Sequence, residues 1–221
     1  MRGNDRTWRH LVVWLHIVTS VGWMALALAL FALLLHGATD PGSAPAATEM
    51  AHFVDTVLLA PLANTSASTG LVLALGTAWG LVHQLWVLTK FAITLVQLYA
   101  GIFLLSRGLE AAASSAEAGP TLAAGTVAMA GALGFQAWLS VAKPGSRTRW
   151  ARDRRTGRPV KLPTAPAALF AVAVLAPLID IAVGTAVGFP TPLLSLLSVV
   201  AAVVVRRRAL RAHAAPVPAI R

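Results

Sequence analysis

The sequence predicts an all-α membrane protein, a polytopic transmembrane helical bundle with six spans, and three observations carry that prediction. Hydrophobic residues make up 57% of the 221 residues and charged residues only 12%, with a mean hydropathy of +0.72. This composition lies outside the range of soluble globular domains. The apolar residues fall in runs long enough to cross about 30 Å of hydrocarbon at about 1.5 Å per residue. The basic residues lie in short blocks beside those runs, as they do on the cytoplasmic side of membrane proteins.

Four apolar runs account for residues 1–142, which we interpret as a four-helix transmembrane core. The first run, 11–35, is too long for the hydrophobic region of a signal peptide, so an uncleaved helix is favoured over cleavage after the small residues that follow. A Gly/Pro/Ser/Ala loop is expected over 37–48. The remaining runs are 50–75, which is the weakest because it contains Asp55, Pro61 and Asn64, then 84–106, and then 121–142.

The last apolar stretch, 165–205, is too long for one helix. The segment "GFPTP" at 188–192 interrupts it, because Pro190 and Pro192 lack an N–H group and clash with a continuing helix. We therefore predict a C-terminal transmembrane hairpin over 165–206, preceded by a basic loop at 143–164 and followed by a basic tail at 207–221. The alternative is five spans with a kinked last helix, which would put the basic tail on the opposite side.

The distribution of Lys and Arg favours six spans with both termini in the cytoplasm. Three basic residues precede the first run, eight lie between 143 and 161, and five lie from Arg206 onward, so sixteen of the eighteen would be cytoplasmic. Only Arg107 would lie outside, and Lys90 would lie within the bilayer. The excess of Arg over Lys and the abundance of Ala are typical of a GC-rich bacterial genome, so the bacterial plasma membrane is the expected location.

Composition also excludes several functions. The chain has no Cys, so thiolate metal sites, iron–sulfur clusters and Cys nucleophiles are excluded. It has no hydrolase, kinase or dinucleotide-binding motif, and we do not expect an enzyme. The net charge of +10 comes from basic blocks beside the apolar runs. These blocks indicate how the protein is oriented in the membrane, and we do not interpret them as a nucleic-acid-binding surface. The lipid bilayer is the expected partner. Three further interactions are left open: anionic lipid contact through 143–161, a membrane-protein partner and a homo-oligomer.

Polar side chains within the apolar runs are the candidate binding residues, because burying such groups in a bilayer is costly. Counting depth along each helix puts His16, Lys90 and Gln136 in one layer near the cytoplasmic side, with Asn64, Gln97 and Asp180 deeper. Lys90 either extends to the cytoplasmic interface or lines a hydrated cavity with His16. Asp180 is expected to be hydrogen-bonded to Gln97 or Asn64, with an ion or proton relay as the alternative. The full candidate set is His16, Lys90, Gln136, His83, Gln97, Asn64 and Asp180.

Histidines offer a second interpretation, in which the protein handles haem or copper. His36 and His52 lie at a similar depth on successive helices, and His16 and His83 lie toward the other side, so two bis-histidine levels are conceivable. The spacing of these residues, and of Met24 and Met129 for copper, is not that of a ligand motif. We therefore expect the protein to bind no metal or cofactor, and keep haem or copper binding as the alternative.

Two stretches carry a resemblance to a known family: "WLHIVTSVGWMALALAL" at 14–30 and "TGLVLALGTAWGLVHQLWVLTKFAITL" at 69–95. They resemble an actinobacterial family of predicted integral membrane proteins of unknown function, and the layout is distantly similar to that of copper-resistance inner-membrane proteins. Val82 departs from the basic residue that this family has before its histidine. The matching positions are His16, Gly22, Trp23, Gly76, Thr77, Trp79, Gly80, Leu81, His83, Trp86 and Lys90. The resemblance supplies no activity, and we expect a non-enzymatic binding, transport or accessory subunit with a polar layer near the inner leaflet.

Overall fold

The computed structural model describes residues 2–214, apart from 116, 118, 146, 153–156, 158, 159 and 161, and the side chains of 2–5, 213 and 214 are also outside the description. Within that part of the chain every long element is helical and there is no strand, which confirms the all-α prediction. Much of the predicted basic loop and all of 215–221 lie outside the described residues. The expected lipid contact through 143–161 stays a prediction.

The described residues form six long helices. In chain order they are α1 (Arg2–Thr39), α2 (Ala44–Gly76), α3 (Leu85–Ser115), α4 (Pro120–Ala142), α5 (Ala167–Val187) and α6 (Leu193–Ala214). A short 3₁₀ turn, Arg149–Ala151, lies between α4 and α5. Two of the helices are not α-helical throughout, because α2 contains a π-helical turn at Asp55–Leu59 and α3 contains another at Gly101–Leu105.

Five of the described helices, α1 to α5, are long and apolar enough to cross a membrane. The sixth predicted span is not confirmed by that criterion. In α6 the apolar part covers only 193–205, and Arg206, Arg207 and Arg208 follow it directly. About 13 residues at 1.5 Å each span only ~20 Å, which is less than the hydrocarbon thickness.

The connections are shorter than the sequence predicted. The loop expected over 37–48 is reduced to 40–43, since α1 continues to Thr39 and α2 begins at Ala44 with Pro45 in its first turn. Proline is well accommodated there, because the first N–H groups of a helix have no intrahelical partner. The polar segment after 106 also continues α3 as far as Ser115, where its Ala-rich sequence favours helix. The break at 188–192 is confirmed, and Gly188 ends α5 in the left-handed conformation with φ +76°.

Helix α1 is in contact with α2, α4 and α5. Three buried apolar clusters follow it along its length. Near its start Val12 packs with Val72 and Phe170, in its middle Trp23 packs with Leu133, and near its end Leu34 packs with Leu109. The α5–α6 hairpin belongs to the first cluster, because Phe170 and Ala202 lie in it. The end of the bundle at which α1 begins, which also carries Arg206, is called the basic end below.

Candidate functional site

His16 on α1 is held by hydrogen bonds to α2. Its Nδ1 lies 2.9 Å from the carbonyl oxygen of Ser66, so this nitrogen is the donor, because a carbonyl only accepts. Ser20 adds two contacts, donating to the His16 carbonyl at 2.6 Å and lying 2.7 Å from the Ser66 hydroxyl. Gly70 leaves room for the imidazole, since a Cβ atom there would lie 2.9 Å from His16 Cε1. His16 therefore joins α1 to α2.

Lys90 belongs to a separate polar network between α3 and α4. Its Nζ donates to Ser140 Oγ at 2.7 Å, and that hydroxyl donates to the Gln136 carbonyl at 3.0 Å. One turn further along, Thr94 Oγ1 donates to Gln136 Oε1 at 3.0 Å. Gln136 Nε2 in turn donates to Gln97 Oε1, and Gln97 Nε2 donates to the Met129 carbonyl at 3.1 Å. The described Lys90 side chain forms no ion pair with a carboxylate of the described residues.

Three of the predicted site residues thus belong to this network, which we call the α3–α4 network: Gln97 and Gln136 bond directly, and Lys90 is connected to Gln136 through Ser140. His16 lies in its own cluster, where it is hydrogen-bonded to Ser66 of α2. The predicted polar layer is therefore two hydrogen-bonded clusters on either side of the bundle interior. In both clusters the polar groups already have protein partners.

Asp180 has partners other than those predicted. Its Oδ1 accepts a hydrogen bond from the Leu194 N–H at 3.0 Å, and its Oδ2 accepts one from the Ser195 N–H at 2.7 Å. The expectation that Gln97 or Asn64 would bond it was wrong. Helix α6 begins just after Pro192, and its first N–H groups have no intrahelical acceptor. A carboxylate on the neighbouring helix supplies that acceptor, so Asp180 acts as the N-terminal cap of α6.

A cavity of about 210 Å³ lies where the π-helical turn of α2 faces the α5–α6 hairpin. Two predicted site residues, Asn64 and Asp180, line it together with Val57, Pro177 and Thr191. The Asn64 side chain makes no hydrogen bond to any described residue. The Thr191 hydroxyl is also buried there without a partner among the described residues. The cavity is mostly apolar, yet it contains hydrogen-bonding groups that no described part of the protein satisfies.

His83 lies away from these clusters, in the connection between α2 and α3 at the basic end. This connection packs on the α4–α5 connection, where the Thr148 N–H donates to the His83 carbonyl at 3.1 Å. Arg206 ties the two together by donating to the carbonyls of Pro163 at 2.7 Å and Thr77 at 3.2 Å. Burial, and then the nearby positive charge of Arg206, lower the pKa of His83 below its usual value. His83 is therefore part of a structural contact between two connections, which we call the basic-end contact.

The four histidines of the haem or copper interpretation do not form a ligand cluster with other donors. Among the described residues no group of three or more His, Asp or Glu side chains is placed to hold a metal ion. His36 is exposed, and His52 has its Nδ1 buried without a described partner. His16 already uses Nδ1 for Ser66.

The sequence did not predict the hydrogen bond between Asp55 of α2 and Ser106 of α3. Ser106 Oγ donates to Asp55 Oδ2 at 2.7 Å, and Asp55 is only 5% exposed. The carboxylate was visible in the sequence as a charge within an apolar run. Its partner was not, because the alignment of Ser106 with Asp55 depends on the position of a π-helical turn in each of two helices.

Five helices that can cross a membrane, enclosing buried polar clusters, are the architecture of a multi-pass membrane protein. No family model matches the chain, and no curated protein or solved structure matches it.

Proposed function

We propose that this chain is a six-span protein of the bacterial plasma membrane that binds or transports a small molecule, without catalysing a reaction on it, and that the cavity beside Asn64 is its site. The observation that carries the proposal is the buried Thr191 hydroxyl, which has no partner among the described residues, in a mostly apolar cavity that also holds the half-buried Asn64 amide. Polar groups buried in a protein are nearly always hydrogen-bonded, and exceptions call for a ligand or water.

The proposed orientation has both termini in the cytoplasm. Its support is that basic residues flank the apolar runs of three helices, with Arg9 just before the run in α1, Lys143 just after α4 and Arg206 just after the run in α6. Helix α6 contributes Ala202 to the same cluster as Val12 of α1, so the chain returns to the end where it began. Arg107 remains at the opposite end of α3.

Because the chain has no native Cys, single Cys variants can test this orientation directly. An impermeant maleimide applied to intact cells should label Ser114→Cys, at the end of α3, and should leave Leu210→Cys, near the end of α6, unlabelled until the cells are permeabilised. Labelling of Leu210→Cys in intact cells would establish five spans and refute the proposed sixth.

The size and lining of the cavity define the class of ligand. A dry cavity of about 150 Å³ accommodates benzene, and this one, at about 210 Å³, has room for a ring with a substituent. The Asn64 amide supplies two donors and one acceptor, and the Thr191 hydroxyl supplies one donor. Both carboxylate oxygens of Asp180 already accept backbone N–H groups, so the lining favours an uncharged ligand. A small amphipathic molecule with one or two hydroxyl or carbonyl groups fits these features.

The binding test uses benzyl alcohol as the probe and saturation-transfer NMR on the purified protein in lipid nanodiscs. Val57→Phe, which fills the cavity wall, should abolish the transfer signal. Val96→Phe is the matched control, because Val96 is 68% exposed on α3 and does not line the cavity. Asn64→Leu should reduce binding of benzyl alcohol more than binding of toluene. Equal signals from both Phe variants would show that the probe partitions into lipid and would overturn the proposal.

A further inference from the structure

We propose that Asp55 is a proton-binding site, a carboxylic acid that is held neutral in the half of the bundle opposite the basic end and releases its proton to water. This site is separate from the cavity and does not depend on the proposed ligand. The geometry that points to it is a buried carboxyl whose hydrogen bond comes from a neutral hydroxyl, at a place where both helices depart from α-helical geometry.

The two π-helical turns bring the pair together. In α2 the Ala60 N–H donates to the Asp55 carbonyl, five residues back, just before Pro61, which has no N–H to offer. In α3 the Ser106 N–H donates in the same way to the Gly101 carbonyl. Each turn adds one residue to its helix and so changes which side chains face the neighbour. The result is the 2.7 Å bond from Ser106 Oγ to Asp55 Oδ2.

The surroundings of Asp55 offer little to stabilise a negative charge. The elements packed against its turn are α1 and the rest of α2, and α3 and α4 adjoin its partner Ser106. Of the titratable groups on these elements in this half of the bundle, His36, Glu49, Arg107 and Glu110 are all exposed. Across the cavity Asp180 is already bonded to two N–H groups. No ion pair joins Asp55 to a basic side chain in the described part of the chain.

His52 is the one titratable neighbour on the same face, one turn before Asp55. Its Nδ1 is buried and has no hydrogen-bond partner among the described residues. An isolated buried carboxylate is costly and neutralises where it can. In the neutral state the acid proton lies on Oδ1 while Oδ2 accepts from Ser106. When the proton leaves, one negative charge remains on Asp55, and water is needed to stabilise it. We expect water to reach Asp55 only when α2 and α3 separate at their contact.

Infrared spectroscopy detects a protonated carboxylic acid directly, through its carbonyl stretch. We expect the purified wild-type protein in nanodiscs to show this band at neutral pH and to lose it on alkalinisation. Uniform carbon-13 labelling of aspartate must shift the band if it comes from an aspartic acid. This test uses the wild-type protein, so it does not depend on whether a variant folds. Asp55→Asn, which is isosteric and keeps an acceptor for Ser106, should remove the band.

Two further variants identify the source of the signal. Ser106→Ala should raise the frequency of the band, because a carbonyl that loses a hydrogen bond stretches at a higher frequency. Asp180→Asn is the matched control and should leave the band in place, since the Asp180 oxygens accept backbone N–H groups. Absence of an aspartate-derived acid band from the wild type at neutral pH, or its persistence in Asp55→Asn, would overturn the proposal.

Discussion

The contact between Gln97 and Gln136 gives the sharpest test of how the bundle interior is held together. Gln136 makes two side-chain bonds to α3, one from Thr94 and one to Gln97, and Gln97 makes a second bond to the Met129 carbonyl. Both glutamines are nearly fully buried, at 6% and 4% exposure. Replacing either with Leu keeps the volume and removes the polar groups.

Magnitudes for such bonds are known to be small in membranes. Hydrogen bonds between transmembrane helices average about 0.6 kcal/mol in double-mutant cycles and reach ~1.7 kcal/mol. Gln136→Leu removes two of them, so we expect a loss of about 1.2 kcal/mol in the free energy of unfolding, with an upper bound of ~3.4 kcal/mol. Gln97→Leu also removes two. The bond between the two glutamines is common to both variants, so the double variant should lose less than the sum of the single losses by about 0.6 to 1.7 kcal/mol.

Steric trapping in nanodiscs or bicelles measures this free energy at equilibrium. Val96→Leu, on the lipid-facing side of α3, should leave it unchanged and serves as the control. Additivity of the two Gln variants within about 0.3 kcal/mol would mean that the side chains do not interact. The α3–α4 network would then not be the contact that holds α3 against the bundle.

Three further predictions concern other contacts. Asp180→Ala removes the cap of α6 and should cost about 0.5 to 2 kcal/mol, with faster amide exchange at Leu194 and Ser195. The pKa of His83 is lower in the folded protein than its usual value of about 6.5, so unfolding takes up a proton at pH values between the two. This histidine should therefore leave the free energy of unfolding unchanged above a pH of about 6.5 and reduce it as the pH drops toward the folded-state pKa. His83→Gln should flatten this slope in a pH series of unfolding midpoints. Gly80→Ala should destabilise the basic-end contact by about 1 kcal/mol or more, because φ is +69° there and a Cβ would lie 2.5 Å from a Leu162 methyl group. Gly131→Ala, with open space around it, is the control and should be neutral or stabilising. Thermal melting measures both variants.

The helical bundle was predictable because apolar run length and proline placement act locally. The interruption at 188–192 required only that Pro190 and Pro192 cannot continue a helix. Helix ends were less predictable. The segment after 106 looked like a loop because of its polar residues, but it lies beyond the apolar run on a helix that has already formed, where adding Ala-rich turns costs little.

Partners of polar side chains were harder to predict from depth and helix face. Gln97 and Lys90 were expected on one face of α3, with Gln136 level with Lys90. Gln97 was assigned to a deeper layer, so its hydrogen bond with Gln136 was not predicted. For Asp180 the same depth argument failed, because its partners are backbone N–H groups freed by the start of α6. Ser106 escaped prediction since a π-helical turn shifts the face by one residue, and no residue pattern in α3 marks that turn.

The contrast between satisfied and unsatisfied polar groups is the reason that the cavity, and not the α3–α4 network, is proposed as the binding site. Lys90 first drew attention as a charge in an apolar run, yet its ammonium group has Ser140, and Ser140 has the Gln136 carbonyl. Binding a ligand there would require breaking those bonds and replacing them. At the cavity no such exchange is needed, because the Asn64 amide has no described protein partner to lose. A ligand that hydrogen-bonds Asn64 need not break a hydrogen bond within the described protein, which is why the cavity is favoured over the more conspicuous lysine.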